Sequence, residues 1–119
     1  MSNNLEELER QFNQLCLAGQ PAEAILRFYA EDASLQENSE PAIVGKQAIL
    51  EREHGFLANV ESSKPPTLHN VAIGDDVTFS EWTYEMTLKD GKTWVLHEVA
   101  RRQWKADRVV HERFYYARS

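Results

Sequence analysis

Leu5, Leu8, Phe12 and Leu15 recur at spacings of three and four, the period of a helix with one apolar face. Asn3 or Asn4 is placed to cap its start, and Gly19-Gln20 ends it. Pro21 suits the first turn of a second helix, whose buried stripe would be Ile25, Phe28 and Tyr29. The stretch "AEDASLQE", Ala30 to Glu37, then reads as a short strand. Ala33, Leu35 and Glu37 share one parity, so two small or apolar side chains lead inward to a carboxylate. "NSEPAIVG" reads as a loop or a short extended segment. A third helix is expected from about Lys46 to Val60, with Ile49, Leu50, Phe56, Leu57 and Val60 facing inward and Gly55 a weak point.

After "SSKPP" the period changes to two. Strands are expected over about Thr67 to Ile73, Val77 to Lys89, Lys92 to Trp104 and Arg108 to Tyr116. Gly74-Asp75-Asp76, Asp90-Gly91 and Ala106-Asp107 separate them. Asp-Gly between two long alternating runs is a strong hairpin signal. Helices followed by an antiparallel meander give an α+β domain, α-α-β-α-β-β-β-β, with the helices covering one sheet face. No linker or repeat divides the chain, so a single domain over residues 1–119 is expected.

If both hairpin turns have two residues, the pairing follows by counting. Tyr84 then faces His97, Trp82 faces Val99, Met86 faces Val95, and Arg101 faces Glu112. One face would carry Trp82, Tyr84, Met86, Val95, His97, Val99, Arg101, Val110, Glu112, Phe114 and Tyr116, and it is assigned to the helices. The opposite face would hold Trp94, Leu96, Trp104 and Tyr115, more apolar than a solvated face requires. That predicts a homodimer through the outer sheet face.

Composition narrows the classes of function. A formal charge of -6 with no Lys/Arg run argues against nucleic acid. No apolar run approaches membrane-spanning length, and "MSNNLEELER" does not read as a signal peptide, so a cytoplasmic location is expected. Cys16 is the one cysteine and falls in an apolar helical pattern, so it reads as a core residue. His54 and His69 with Glu51 and Glu53 match no common ligand spacing; no metal and no cofactor are expected.

The segments "RFYAEDASLQE", "VGKQAIL", "DDVTFSEWTYEM" and "DRVVHERFYYA", in this order of elements, resemble the SnoaL-like branch of the nuclear-transport-factor-2-like (NTF2-like) superfamily. The resemblance implies a curved sheet wrapped round three helices, forming a conical pocket. It also implies functions ranging from ketosteroid isomerases, limonene-epoxide hydrolases, polyketide cyclases and dehydratases to non-catalytic domains. The isomerases' base position falls on Glu37. Their oxyanion donors fall at Phe12 and near Val99 or Ala100, which cannot donate from a side chain, so steroid-type isomerisation is not expected. The hydrolase positions fall on Trp82, Tyr84 and Phe114, so that machinery is absent too.

The expected function is therefore binding of a small hydrophobic molecule with an oxygen function, in a mainly apolar pocket. Any catalysis would be cofactor-free acid–base chemistry on a carbonyl compound, of the isomerase, dehydratase or cyclase type. Glu37, His97 and Tyr84 are the candidate catalytic groups. Phe12, Trp82, Met86, Val99, Arg101, Glu112, Phe114 and Tyr116 are the candidate ligand contacts. The alternative is a non-catalytic dimerisation or partner-binding module whose bulky side chains fill the pocket.

Overall fold

The computed structural model describes residues 4–117; Asn3, one of the two expected caps, lies outside them. Asn4 fills the role. Its side-chain oxygen accepts from the Glu7 N–H at 3.1 Å, and helix α1 runs from Leu5 to Leu17. Helix α2 (Pro21–Phe28) follows, with Pro21 in its first turn. Strand β1 (Tyr29–Glu37) buries Tyr29, Ala33 and Leu35, so the parity leading to Glu37 is seen in the fold. Strand β2 (Ile43–Val44) lies in the segment read as loop or short extended chain. Helix α3 (Lys46–Ala58) comes next, and Val60, expected as its last inward residue, instead opens strand β3 (Val60–Ser63). Leu57 of α3, also expected inward, is exposed. The chain ends in β4 (Thr67–Ile73), β5 (Val77–Leu88), β6 (Thr93–Lys105) and β7 (Arg108–Tyr116).

The strands form one sheet in the order β2-β1-β7-β6-β5-β3, with β4 also paired to β5. Neighbours are antiparallel except β1 and β7, which run parallel. This parallel pair brings Glu37 beside Phe114, the C-terminal end of one strand beside that of the other. The sheet curls round the helices as a half-barrel. Its core joins Leu5 and Phe12 of α1, Ile25 and Phe28 of α2, Tyr29, Ala33 and Leu35 of β1, Ile49 and Leu50 of α3, and Trp104 and Val109 of the sheet. Phe12, Phe28 and Trp104 meet edge-on or tilted at 5.8–6.5 Å, within the range where aromatic pairs attract.

Two one-residue shifts correct the expected pairing. The first hairpin loop has three residues, not two. Gly91 N–H closes a turn onto the Leu88 carbonyl at 2.9 Å, and Leu88 N–H reaches the Lys92 carbonyl at 2.8 Å. Gly91 sits at φ +89°, the left-handed conformation that absorbs the extra residue as a bulge. Tyr84 therefore faces Leu96, and Trp82 faces Glu98. The second turn does have two residues, with Ala106 and Asp107 both at positive φ (52° and 66°), the twist a tight hairpin needs. A bulge then follows it: Trp104 pairs with Val109, but Gln103 pairs with His111, leaving Val110 as the extra residue. Arg102, not Arg101, faces Glu112.

The shifts cancel between β5 and β7. Trp82, Tyr84, Met86, Glu112, Phe114 and Tyr116 stay on the helix-facing, concave side as expected. Only β6 is inverted. Val95, His97, Val99 and Arg101 move to the convex face, while Trp94, Leu96 and Trp104 move to the concave one. Of the four residues expected on the outer face, Tyr115 alone is there, opposite Val99.

Candidate functional site

The concave face has two ends with different chemistry. At the closed end, under α1, Arg102 is buried and joins three elements. Its Nη1 donates to Glu9 Oε2 at 2.6 Å and to Asn13 Oδ1 at 3.0 Å, and its Nε donates to Glu112 Oε2 at 2.7 Å. The remaining lone pairs of Glu9 are met by hydroxyls: Thr78 Oγ1 donates at 2.7 Å and Ser80 Oγ at 2.5 Å. Trp104 Nε1 donates to Thr78 Oγ1 at 2.9 Å, Asn13 Nδ2 donates to Ser80 Oγ at 2.8 Å, and Tyr29 donates its hydroxyl proton to Glu112. Arg102 also lies over the Phe12 ring, 3.8 Å from its centre. Burial works against the arginine charge, but Glu9 and Glu112 more than offset it, so its pKa lies above the ordinary value. Burial, reinforced by Glu112, lifts the Tyr29 phenol well above its ordinary value. This end is a satisfied network with every partner inside the protein, and its role is to fix α1 on the sheet.

The other end lies under α3, and Glu98, Glu53 and the Trp82 indole have no such partners among the described residues. Glu98 is 9% exposed, sits between Trp82 and Tyr116 on the neighbouring strands, and has no hydrogen bond or ion pair among the described residues. Burial first, and then the charge of Glu112, pushes its carboxyl up to about 7. Glu53 lies on α3 one turn beyond the buried Ile49 and Leu50, the same helical stripe. It too has no bonded partner among the described residues, and burial raises its pKa. Trp82 is wholly buried with its indole Nε1–H unpartnered among the described residues, and its ring stacks on Tyr84 at 5.5 Å. Burial likewise raises the Tyr84 phenol. Phe56 of α3 packs on Trp94 of β6 at 6.2 Å, at the exposed end of that strand. Cys16 reaches the same interior, and burial pushes its thiol up to about 12, which makes it a poor nucleophile at neutral pH.

Glu37 is on the concave side but is not alone there. It is ion-paired with Arg52 of α3 and accepts a hydrogen bond from the Tyr116 hydroxyl. It borders a recess of about 120 Å³ with Leu35, Glu40, Pro41 and Ile43. His97, expected beside Tyr84 and Tyr116, is exposed on the convex face. There its Nδ1 lies 3.0 Å from Thr83 Oγ1, which also bonds His69 Nε2 at 2.8 Å. These groups, with Asn70, Glu81, Trp82, Glu98, Val99 and Tyr115, line an open depression of about 330 Å³. Arg101, expected to pair with Glu112, faces Arg113 on the convex side. Phe12 is core, beneath Arg102. Trp82, Met86, Phe114 and Tyr116 share the concave face with Tyr84. Among the described residues, no group of three His, Cys, Asp or Glu could hold a metal ion.

Glu9, Glu53, Glu98 and Arg102 are the polar residues that sequence reasoning missed. One signal was present for β6. The parity Trp94, Leu96, Ala100, Trp104 is more apolar than Val95, His97, Val99, Arg101, and an apolar parity belongs on the covered face. Glu98 and Arg102 ride on that same parity.

Comparison with known proteins agrees with this fold. A sequence profile for the SnoaL-like domain matches residues 9–112. The chain belongs to the SnoaL-like family. This SnoaL-like chain is also similar in fold to a Mesorhizobium loti protein provisionally assigned as a SnoaL-like polyketide cyclase. The two are 22% identical with a TM-score of 0.87, over 96% of this chain and 100% of that one. An NTF2-like protein of unknown function from Burkholderia pseudomallei superposes with a TM-score of 0.81 at 13% identity, over 98% of this chain and 92% of that one. A Catenulispora acidiphila protein with a ketosteroid isomerase-like fold, solved with trimethylamine, gives 0.76 at 13% identity, over 98% and 88%. No curated protein sequence matches this SnoaL-like chain.

Proposed function

We propose that the open end of the concave face binds a small, largely apolar molecule carrying an oxygen function, and that Glu98 exchanges a proton with it beside Tyr84, without a cofactor. The observation that carries this reading is the state of Glu98. It is buried, unpaired among the described residues, and held at about 7, where a carboxyl group both gives and takes protons at neutral pH. Donors with no acceptor among the described residues stand beside it. The Trp82 indole N–H lies directly across the strand pair, and the Tyr84 phenol is stacked on that indole. A carbonyl group whose oxygen accepts from the Tyr84 phenol would become more electrophilic, and its α-hydrogens more acidic. Glu37 joins the site as an anion held by Arg52 and Tyr116, which makes it a positioning group rather than the proton carrier. Carbon-13 NMR titration of the glutamate side chains tests the reading. A Glu98 midpoint near 7 that moves on adding a small ketone supports it. A Glu98 midpoint in the ordinary glutamate range overturns it.

We further propose that the convex face meets a second copy. Val95, Val99 and Tyr115 supply apolar area there. Glu81 and Glu85 on β5, with Arg101 and Arg113 on the far strands, give that face charges of both signs that a two-fold axis can bring together.

A further inference from the structure

Glu81, Val99 and Tyr115 lie side by side across β5, β6 and β7 on the convex face, with Thr83 and His97 paired in the next row. β4 closes the other side: His69 Nε2 lies 2.8 Å from Thr83 Oγ1, and Asn70 Nδ2 donates to Glu81 Oε1 at 2.9 Å. These residues frame the depression of about 330 Å³, over the Trp82–Glu98 pair. Glu81 is oriented by Asn70 and keeps its second oxygen free of partners among the described residues. Thr83 engages one nitrogen of each imidazole, which leaves His69 Nδ1 and His97 Nε2 unbonded among the described residues. Tyr115 adds an aromatic ring, on which the Arg113 guanidinium of the same chain already lies, 4.7 Å from the centre. A carboxylate, imidazole nitrogens and an aromatic ring are together what a guanidinium binds, because it brings five N–H donors in one plane and stacks on rings.

The same face carries a guanidinium with nothing to bind. Arg101, two residues along β6 from Val99, has no hydrogen bond or ion pair among the described residues and stands directly opposite Arg113. Like charges set opposite each other across strands are destabilising, and Arg113 is already held, its Nε donating to the Asn38 carbonyl oxygen at 2.9 Å. A socket and its plug on one surface are the self-complementarity that a two-fold pair requires, since each contact is then made twice. We propose that the depression is a socket for the partner's Arg101 in a pair of copies, with that guanidinium seated on Glu81 between His69, His97 and Tyr115. The proposal rests on the reading of the convex face as the meeting place of two copies, and it names the contact that sets their register.

Charge reversal tests the contact by native mass spectrometry of the full chain. Glu81→Arg sets arginine against arginine in a like pair, and Arg101→Glu sets glutamate against glutamate. Each is expected to weaken self-association by at least about a hundredfold. Mixed in equal amounts, the two variants restore both contacts, so a mixed pair is expected, with a mass that tells it from either like pair. Circular dichroism matching that of the parent shows each variant folded, and the milder Glu81→Gln and Arg101→Gln should each weaken pairing without reversing a charge. A parent protein that stays a single chain overturns the two-copy reading, and the socket with it. A parent that pairs, with either reversal variant pairing as tightly, overturns the socket and leaves the two-copy reading standing. Reversal variants that stay single even when mixed overturn the match of Glu81 with Arg101.

Discussion

Arg102 neutralises one of the two carboxylates it touches, and the hydroxyls and amide around them make the cluster tolerable in the core. Removing the arginine leaves two anions facing each other in a dry site. Arg102→Met is expected to destabilise the fold by about 3–5 kcal/mol in urea unfolding. Adding Glu9→Leu and Glu112→Leu to it should recover most of that loss, since no charge is then left in this cluster. Glu98 makes the opposite case, a carboxyl with no cation paired to it among the described residues. Its folded pKa, about 7, lies above its unfolded value near 4.5, so the folded state holds the proton more tightly. Its contribution is fully favourable below the unfolded pKa, falls as pH rises between the two values, and is lost above the folded one. Glu98→Gln should therefore be more stable than the parent above pH 7, by on the order of 3 kcal/mol, and about equal to it below pH 4.5. Urea midpoints of both proteins across that window check the sign.

At the scale of elements, much of the fold was legible and one strand was not. The starts of α1, α2 and α3, and of β4, β5 and β7, follow from caps, proline, and period. β2 and β3 are too short for a period of two to declare itself. β6 was found in place but facing the wrong way, because one extra loop residue at Gly91 turns every side chain after it. The Val110 bulge turns them back, so β5 and β7 kept their expected faces. A bulge costs a strand no change in composition, so the alternation cannot announce it. Trp82, Tyr84 and Glu37 were thus legible as inward residues. Glu98 and Arg102 were hidden by inversion, and Glu53 by its place in a charged run, "EREH". The second hairpin allows a direct test of turn chemistry. Ala106 and Asp107 adopt a conformation that suits Asn and Gly better. Ala106→Asn/Asp107→Gly should raise stability by about 1 kcal/mol, a few degrees in thermal midpoint by circular dichroism.

For the whole molecule, the two faces of the sheet differ in chemistry. Among the described residues no helix is long and apolar enough to cross a membrane. The concave face is covered by helices at one end and left open at the other. The convex face shows Val95 and Tyr115 at 55% and 41% exposure, beside arginines that directly face each other. A second copy would cover the apolar groups and set acids against those arginines. Light scattering should accordingly give a mass near twice the 13.7 kDa of the chain. Val95→Glu should return it to the single-chain mass without altering binding in the cleft, because the two faces share no side chain.

The paired shifts at Gly91 and Val110 make β6 a two-position dial. Losing one residue from the first hairpin loop and one from the bulge would rotate that strand alone, with both its neighbours unmoved. His97, Val99 and Arg101 would then line the cleft, and Glu98 and Arg102 would face outward. A lineage built on this scaffold could exchange an acidic interior for a basic one through two single-residue deletions, with no substitution at any pocket position. Comparing loop lengths at these two hairpins, rather than residue identities in the cleft, is then the way to sort relatives by the charge of the molecules they hold.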